Sequence, residues 1–231
     1  MAGATGLVGQ AVLAALLTAE EAELEKDLHA EVSYSDSTTE AVHVVHAKGR
    51  SAPALSHPRL ELHAVDFTAM PSLPPVDDVY ITLGTTISIA RSQQAFRAVD
   101  YDAGMAVARA ARDAGATRCG VVTAMGANAQ SHIFYSRVKG EVERDIQNLG
   151  FTSLVLARPS LLIGDRKTLQ QAPRRGESAS TSLLRWLDPV IPANFRAQLA
   201  ADVGHALVCA VRSAPAGLQV LCGQALRSRK K

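Results

Sequence analysis

The sequence opens with Gly3-Ala-Thr-Gly6-Leu-Val-Gly9, and the largely apolar residues 10–17, Gln-Ala-Val-Leu-Ala-Ala-Leu-Leu, follow at once. Glycines at three-residue spacing let the backbone turn tightly and approach a pyrophosphate, where the amides at a helix N-terminus bind the anion. The basic residues that begin a secretory signal are missing before this stretch. The opening therefore predicts a phosphate-binding turn followed by a helix.

Short apolar runs alternate with helical patterns over most of the 231 residues, which indicates βαβ units and a parallel sheet. The predicted strands are residues 41–45, 60–65, 78–83, 119–124, 152–157 and 218–222. The predicted helices are residues 8–28, 93–114, 134–149 and 201–211. Gly115 and Gly150 follow the second and third of these helices, as is typical of a helix C-terminus. We expect an α/β protein with helices on both faces of the sheet.

The first strand of this sheet is the exception. A dinucleotide-binding turn follows a buried central strand, but only Met1 and Ala2 precede Gly3. Without that strand its two neighbours would lie about 10 Å apart, two strand spacings. We therefore expect a first strand truncated at the N-terminus, so that either the true start lies upstream of Met1 or the sheet carries a defect beside the phosphate-binding turn.

Composition restricts the function classes. The chain is 47% hydrophobic and has a formal net charge of +2, with a basic cluster only in its last few residues, so nothing indicates nucleic-acid binding. No apolar run approaches the roughly 20 residues of a membrane span. We expect one soluble domain over residues 1–231, with residues 165–200 as a small substrate-side segment, and a cytoplasmic location.

Cysteine and histidine patterns suggest no metal or disulfide. Cys119, Cys209 and Cys222 are far apart and lie in apolar surroundings, which predicts buried thiols in a reducing compartment. His43 and His46 are an odd number of positions apart on a predicted strand, so they point to opposite faces and cannot share an ion. We therefore expect no metal site.

A second group of residues carries proton-transfer chemistry. Tyr135 and Lys139 are four apart on a predicted helix and lie on one face, where a lysine ammonium lowers the pKa of a phenol. Thr123 ends the preceding strand, at the carboxyl edge where open α/β sheets place ligands. This pattern predicts Tyr135 as general acid or base, Lys139 as its partner and Thr123 as a donor to a substrate carbonyl.

Together these motifs resemble an atypical short-chain dehydrogenase/reductase, and within that superfamily the Tat-interacting-protein-like NAD(P)-binding proteins. The resemblance is collinear over nearly the whole chain and is carried by residues 3–9, 83–86, 96–102, 122–127, 134–143 and 157–166. It implies a Rossmann-type doubly wound parallel sheet that binds NADP(H) or NAD(H).

The resemblance also implies a cofactor site. The turn of Gly3, Thr5, Gly6, Leu7, Val8 and Gly9 would meet the pyrophosphate. Asp66 and Phe67 would meet the adenine, and Leu83, Gly84 and Thr85 the ribose side. Lys139 would hold the nicotinamide ribose beside Tyr135, and the backbone of Pro159, Ser160, Leu161 and Leu162 would face the nicotinamide.

The cofactor preference follows from residues 46–50, His-Ala-Lys-Gly-Arg. No acidic residue stands at the end of the second strand of the resemblance to accept a hydrogen bond from a ribose 2′-hydroxyl. Lys48 or Arg50 could instead bind a 2′-phosphate, which favours NADP(H) over NAD(H). The chain departs from the family pattern at Thr123-Ala124, where relatives usually have two serines.

Three functions remain open at this point. The first is an NAD(P)(H)-dependent oxidoreductase acting on a small carbonyl or alcohol through Thr123, Tyr135 and Lys139. The second is a non-catalytic NADPH-binding regulatory or scaffold protein that presents a surface to a protein partner. The third is a defective chain that binds no dinucleotide.

Overall fold

The computed structural model describes residues 1–29, 44–49, 55–163, 196–213 and 215–227. The strands are β1 Val45–Gly49, β2 Leu60–Ala64, β3 Asp78–Ile81, β4 Arg118–Val122, β5 Ser153–Arg158, β6 Leu162–Ile163, β7 Gln198–Leu199 and β8 Gly217–Cys222. The helices are α1 Leu7–His29, α2 Ile87–Ala90, α3 Gln93–Arg97, α4 Ala103–Asp113, α5 Phe134–Gln147 and α6 Ala200–Ser213. A π-helical turn, Ala98–Asp102, joins α3 to α4, and a 3₁₀ turn, Gly223–Leu226, follows β8.

The main sheet is parallel and has the strand order of a doubly wound fold. Strand β1 pairs with β2, and β3, β4, β5 and β8 pair in that order. The remaining two strands, β6 and β7, form a separate parallel pair. The α/β fold class predicted from the alternating pattern is confirmed.

Met1 and Ala2 take the place of the central strand between β1 and β3. The Ala2 N–H donates to Tyr80 O at 2.8 Å, and the Thr82 N–H donates to Ala2 O at 2.9 Å. On the other side the Lys48 N–H donates to Met1 O at 2.8 Å. Ala2 thus bridges both neighbouring strands and joins them at the edge of the sheet where the phosphate turn begins.

Helices cover both faces of this sheet, as expected. Helices α1 and α6 pack on one face, where Val12, Leu13, Val203, Leu207 and Val208 are buried. Helices α4 and α5 cover the other face around Met105, Val142 and Ile146. These apolar layers leave polar groups to gather at the carboxyl edge of the strands.

Several predicted elements differ in detail from the structure. Strand β1 begins at Val45 instead of residue 41, and residues 41–43 lie outside the described part of the chain. The predicted helix 93–114 is divided by the π-helical turn. Cys119 is buried, and burial raises the pKa of its thiol, but Cys209 and Cys222 are exposed, so their predicted burial is wrong.

Close packing of α1 on α6 gives a first testable prediction. A Cβ on Gly204 would lie 2.6 Å from the Ala11 Cβ and 2.8 Å from the Ala11 carbonyl carbon, so Gly204→Ala must push the two helices apart. We expect a loss of about 1–3 kcal/mol in the free energy of unfolding, measured by urea denaturation. Gly104→Ala is the matched control, because its Cβ would meet only Ile81 Cγ2 at 3.9 Å. Equal stability of the two variants would contradict this packing.

Candidate functional site

The phosphate-binding turn requires glycine for two steric reasons. Gly3 has φ +93°, and a Cβ there would lie 2.7 Å from the carbonyl carbon of Thr82. A Cβ on Gly9 would overlap the carbonyl group of Gly3. The Gly6 position is different, because a Cβ there would meet only Gly3 O at 3.5 Å. Its missing side chain therefore leaves open space at the N-terminus of α1.

Lys139 is anchored by a buried ion pair at the carboxyl edge of β3. Its Nζ lies 2.6 Å from Asp100 Oδ1, and the side chains of Lys139 and Asp100 are 7% and 0% exposed. Asp100 lies in the π-helical turn, and its Oδ2 accepts a hydrogen bond from the Thr85 N–H at 2.8 Å. One carboxylate thus ties α5 to the loop of Leu83, Gly84 and Thr85 that follows β3.

Tyr135 lies one turn before Lys139 in the first turn of α5, as the sequence predicts. Its half-buried ring packs against Phe96, with the ring centroids 5.6 Å apart. Phe96 is fully buried on α3 and also contacts Phe134, at 5.7 Å between centroids. This aromatic contact fixes the start of α5 beside the π-helical turn.

Thr123 directly follows β4, and its hydroxyl is engaged inside the protein. It is 5% exposed, and its hydroxyl donates to Glu143 Oε1 at 2.5 Å. Glu143 also accepts from Arg158, whose Nε lies 2.9 Å from Oε1 and whose Nη2 lies 2.5 Å from Oε2. Because the Thr123 proton is held by a buried carboxylate, it is not available to a substrate carbonyl in this arrangement. The hydrogen bonds among Thr123, Glu143 and Arg158 thus join β4, β5 and α5 to one another.

The segment of Pro159, Ser160, Leu161 and Leu162 follows β5 and is held by Gln198. The Ser160 N–H donates to Gln198 Oε1 at 3.1 Å, while Gln198 Nε2 donates to Gly223 O at 2.8 Å. The Ser160 hydroxyl donates to Arg196 O at 2.5 Å. Gln198 is 1% exposed, so this segment has a fixed backbone where the resemblance places the nicotinamide.

The residues that the resemblance assigns to the adenosine half of the cofactor differ in how far they are buried. Asp66 is exposed after β2, and its hydrogen bonds from the Thr68 N–H and hydroxyl lower the pKa of its carboxyl. Phe67 is partly buried and packs against the same apolar cluster as Met105 of α4. Lys48 lies within β1 and is 6% exposed, and burial lowers the pKa of its ammonium. The predicted strand ends at residue 45, whereas β1 extends to Gly49 and contains Lys48. Arg50 lies outside the described residues.

Sequence reasoning missed the carboxylates that organise the site. A spacing of two on a helix predicts that Asp100 and Asp102 splay apart, and Asp100 turns inward to Lys139. Asp100 lies four residues after Phe96, which places it on the buried side of its helix and is a signal in the sequence. Glu143 lies four residues after Lys139 on α5, so the same spacing places these two residues on one face of the helix. Arg158 and Gln198 show no such pattern, because their partners come from distant parts of the chain.

Solved structures share this fold at low sequence identity. MoeE5 in complex with UDP-glucose and NAD has a TM-score of 0.63 and 14% identity, covering 97% of this chain and 78% of its own. A UDP-N-acetylglucosamine 4-epimerase from Methanobrevibacter ruminantium also has a TM-score of 0.63, with 11% identity over 96% and 74% of the chains. At this level of identity the likeness shows the fold alone, a parallel sheet with helices on both of its faces.

Closer relatives are fungal proteins called FMP52. The Candida albicans protein is 39% identical over 47% of this chain and 47% of its own length, so the chain spans about half of this relative. The Aspergillus fumigatus protein is 32% identical over 74% of this chain and 68% of its own length. All are named as mitochondrial proteins, which overturns the predicted cytoplasmic location.

The family model that matches does not show the Tat-interacting-protein branch. It is described as HIM1 and matches residues 53–188, from before β2 to beyond β6. This range includes the buried Asp100–Lys139 pair and Tyr135, and it is more than half of the sequence. The chain therefore belongs to the HIM1 family, with the FMP52 proteins among its relatives.

Proposed function

We propose that this protein is an NAD(P)(H)-dependent oxidoreductase of the short-chain type that acts on a small carbonyl or alcohol. The observation that carries the proposal is the placement of Tyr135 one turn before a lysine fixed by Asp100 at the carboxyl edge of the sheet. Ligands of doubly wound folds bind at this edge. NAD is present in structures of this fold such as that of MoeE5, which supports a dinucleotide as ligand.

The residues present fit such a group. Helix α1 begins at Leu7, and the first N–H groups of a helix have no acceptor within it, so they can meet a pyrophosphate. The open space at Gly6 lets the phosphates approach the backbone. Lys139 and the loop of Leu83, Gly84 and Thr85 lie beside each other, since a Cβ on Gly84 would be 3.7 Å from Lys139 Nζ. These groups would hold the nicotinamide half.

In this proposal each side chain has a separate task. The bound nicotinamide supplies the hydride chemistry. The Tyr135 hydroxyl gives a proton to the substrate oxygen in reduction and takes it back in oxidation. Lys139, held by Asp100, orients the ribose hydroxyls beside Tyr135. Thr123 acts only through Glu143 and Arg158, as a positioning residue that fixes α5 against β4 and β5.

We also propose a preference for NADP(H). Strand β1 ends at Lys48-Gly49 and Arg50 follows, so no carboxylate from this stretch can accept the 2′-hydroxyl of NAD(H). Because Lys48 is buried in the strand, the 2′-phosphate contact would come from Arg50. Arg50→Ala should weaken NADP binding and leave NAD binding unchanged.

Calorimetric titration of the full chain with NADP⁺ and NAD⁺ tests the ligand. Oxidation of NADPH with a panel of aldehydes and ketones then tests the chemistry. Tyr135→Phe should keep the dissociation constant within about threefold and lower turnover by about 10²–10⁴-fold, the usual loss when a general acid is removed. Absence of binding for both dinucleotides would refute the ligand, and unchanged turnover in Tyr135→Phe would refute the catalytic role.

One observation favours a second candidate, a non-catalytic NADPH-binding regulatory protein. The Thr123 hydroxyl is held by Glu143, and the next residue, Ala124, carries no hydroxyl to replace it. This candidate predicts that NADPH raises the thermal unfolding midpoint according to its dissociation constant. It also predicts no NADPH oxidation with any member of the panel.

A further inference from the structure

Two histidines and a glutamate meet on one face of β1 and β2. His46 lies opposite Glu61 in the register of the two strands. His63 follows Glu61 by two positions and therefore points to the same face. We call these three residues the His46–Glu61–His63 cluster. Their side chains are 19%, 56% and 32% exposed, so the cluster can be reached from solvent.

Three atoms of this cluster form a small triangle. His46 Nδ1 lies 3.1 Å from His63 Nε2 and 3.2 Å from Glu61 Oε2, and the third side, His63 Nε2 to Glu61 Oε2, is 3.6 Å. Zinc bonds of about 2.0–2.1 Å separate two ligands of a tetrahedral ion by about 3.3 Å. The three sides are close to this spacing, so an ion just outside the triangle would reach all three atoms.

We propose that the His46–Glu61–His63 cluster binds a divalent transition metal, with Zn²⁺ as the best match. The donor set is two imidazole nitrogens and one carboxylate oxygen, and zinc sites with these three ligands keep a water at the fourth position. Imidazole donors favour Zn²⁺ over Mg²⁺ or Ca²⁺, which prefer sites built only from oxygen.

The ion would cross-link β1 to β2. These two strands join the rest of the sheet through the Met1–Ala2 bridge. Leu62, which belongs to the outer strand β2, is 43% exposed. Binding that occurs only in the folded state adds to the free energy of unfolding. Lys48 lies opposite His63 on the same face, and its positive charge opposes the ion, so we expect moderate rather than very tight binding.

The spacing of residues in the sequence does not predict this site, because its ligands come from two strands. His46 and His63 are seventeen residues apart, which matches no zinc-binding spacing, and the register of β1 on β2 brings them together. The expectation of no metal came from comparing His46 with His43, which point to opposite faces of one strand.

Calorimetric titration of the metal-free chain with Zn²⁺ tests the proposal, together with the absorption spectrum of the Co²⁺ form. We expect one bound ion, the strong visible bands of tetrahedral Co²⁺, no thiolate charge-transfer band, and a higher thermal unfolding midpoint with Zn²⁺. Loss of an outer-shell partner alone costs about 10–100-fold in affinity, so Glu61→Gln and His63→Gln should each weaken binding by at least that factor.

His205→Gln is the control. His205 and Cys209 lie on α6 with 3.7 Å between ring nitrogen and sulfur, and an exposed pair of this kind also attracts zinc. This variant should bind like the wild type, and all variants should keep the wild-type circular dichroism spectrum. Binding that survives both cluster variants, or that His205→Gln abolishes, would show that the cluster is only a hydrogen-bonded trio. Absence of binding by the wild type would also overturn the proposal.

Discussion

Gly9→Ala is expected to destroy dinucleotide binding together with part of the fold, whereas Gly6→Ala should lose binding alone. A Cβ on Gly9 would overlap the Gly3 carbonyl group, and the nearby atoms are backbone that cannot move aside cheaply. We expect Gly9→Ala to lower the free energy of unfolding by about 3 kcal/mol, at the upper end of overpacking effects. The N-terminus of α1 and the Ala2 bridge would shift with it.

Gly6→Ala separates the effect on ligand binding from the effect on stability. A Cβ there would meet only Gly3 O at 3.5 Å, ordinary contact distance, so stability should change by less than about 1 kcal/mol. The methyl group would occupy the open space proposed for the pyrophosphate. We expect binding at least about tenfold weaker, a loss of about 1.4 kcal/mol. Urea denaturation and calorimetric titration measure the two effects, and wild-type affinity in Gly6→Ala would place the ligand elsewhere.

Local patterns in the sequence predict much of the fold. Helix α1 and its turn follow from glycine spacing, and the buried strands β4 and β5 follow from continuous apolar runs. Strand β1 is displaced from its predicted position because residues 41–45 are more apolar than Lys48 and Gly49, whereas the observed strand is set by pairing with Met1 and β2. Pairing between distant segments leaves no period in the sequence.

In the candidate site, too, contacts between distant residues could not be predicted from local patterns in the sequence. Tyr135 and Lys139 are found together because one helix carries both. Thr123 lies at the end of β4 as its position in the sequence predicts, but its hydrogen-bond partner is twenty residues away, and this partner decides what its hydroxyl can do. The site residues therefore follow from local spacing, while their roles depend on Asp100 and Glu143, whose contacts exist only after the chain has folded.

The buried pair provides the second large effect. Lys139→Met would leave the Asp100 carboxylate without a cation where its side chain is fully buried. Breaking a buried ion pair from one side costs about 3–5 kcal/mol, because the remaining charge loses its compensation. We expect this loss in urea denaturation of Lys139→Met. Arg144→Met, on the same helix, removes a more exposed pair with Asp145 and should cost much less than Lys139→Met.

The double variant Asp100→Asn/Lys139→Met separates structure from ligand binding. With both charges gone, most of the lost stability should return, since a neutral pair needs no compensation and the amide that replaces the Asp100 carboxylate keeps an oxygen for the Thr85 N–H. Strict additivity of the two single variants would show that the pair is not coupled. If the restored protein still fails to bind a dinucleotide, Lys139 acts on the ligand itself. If binding returns with stability, its role is to hold the loop after β3 in place.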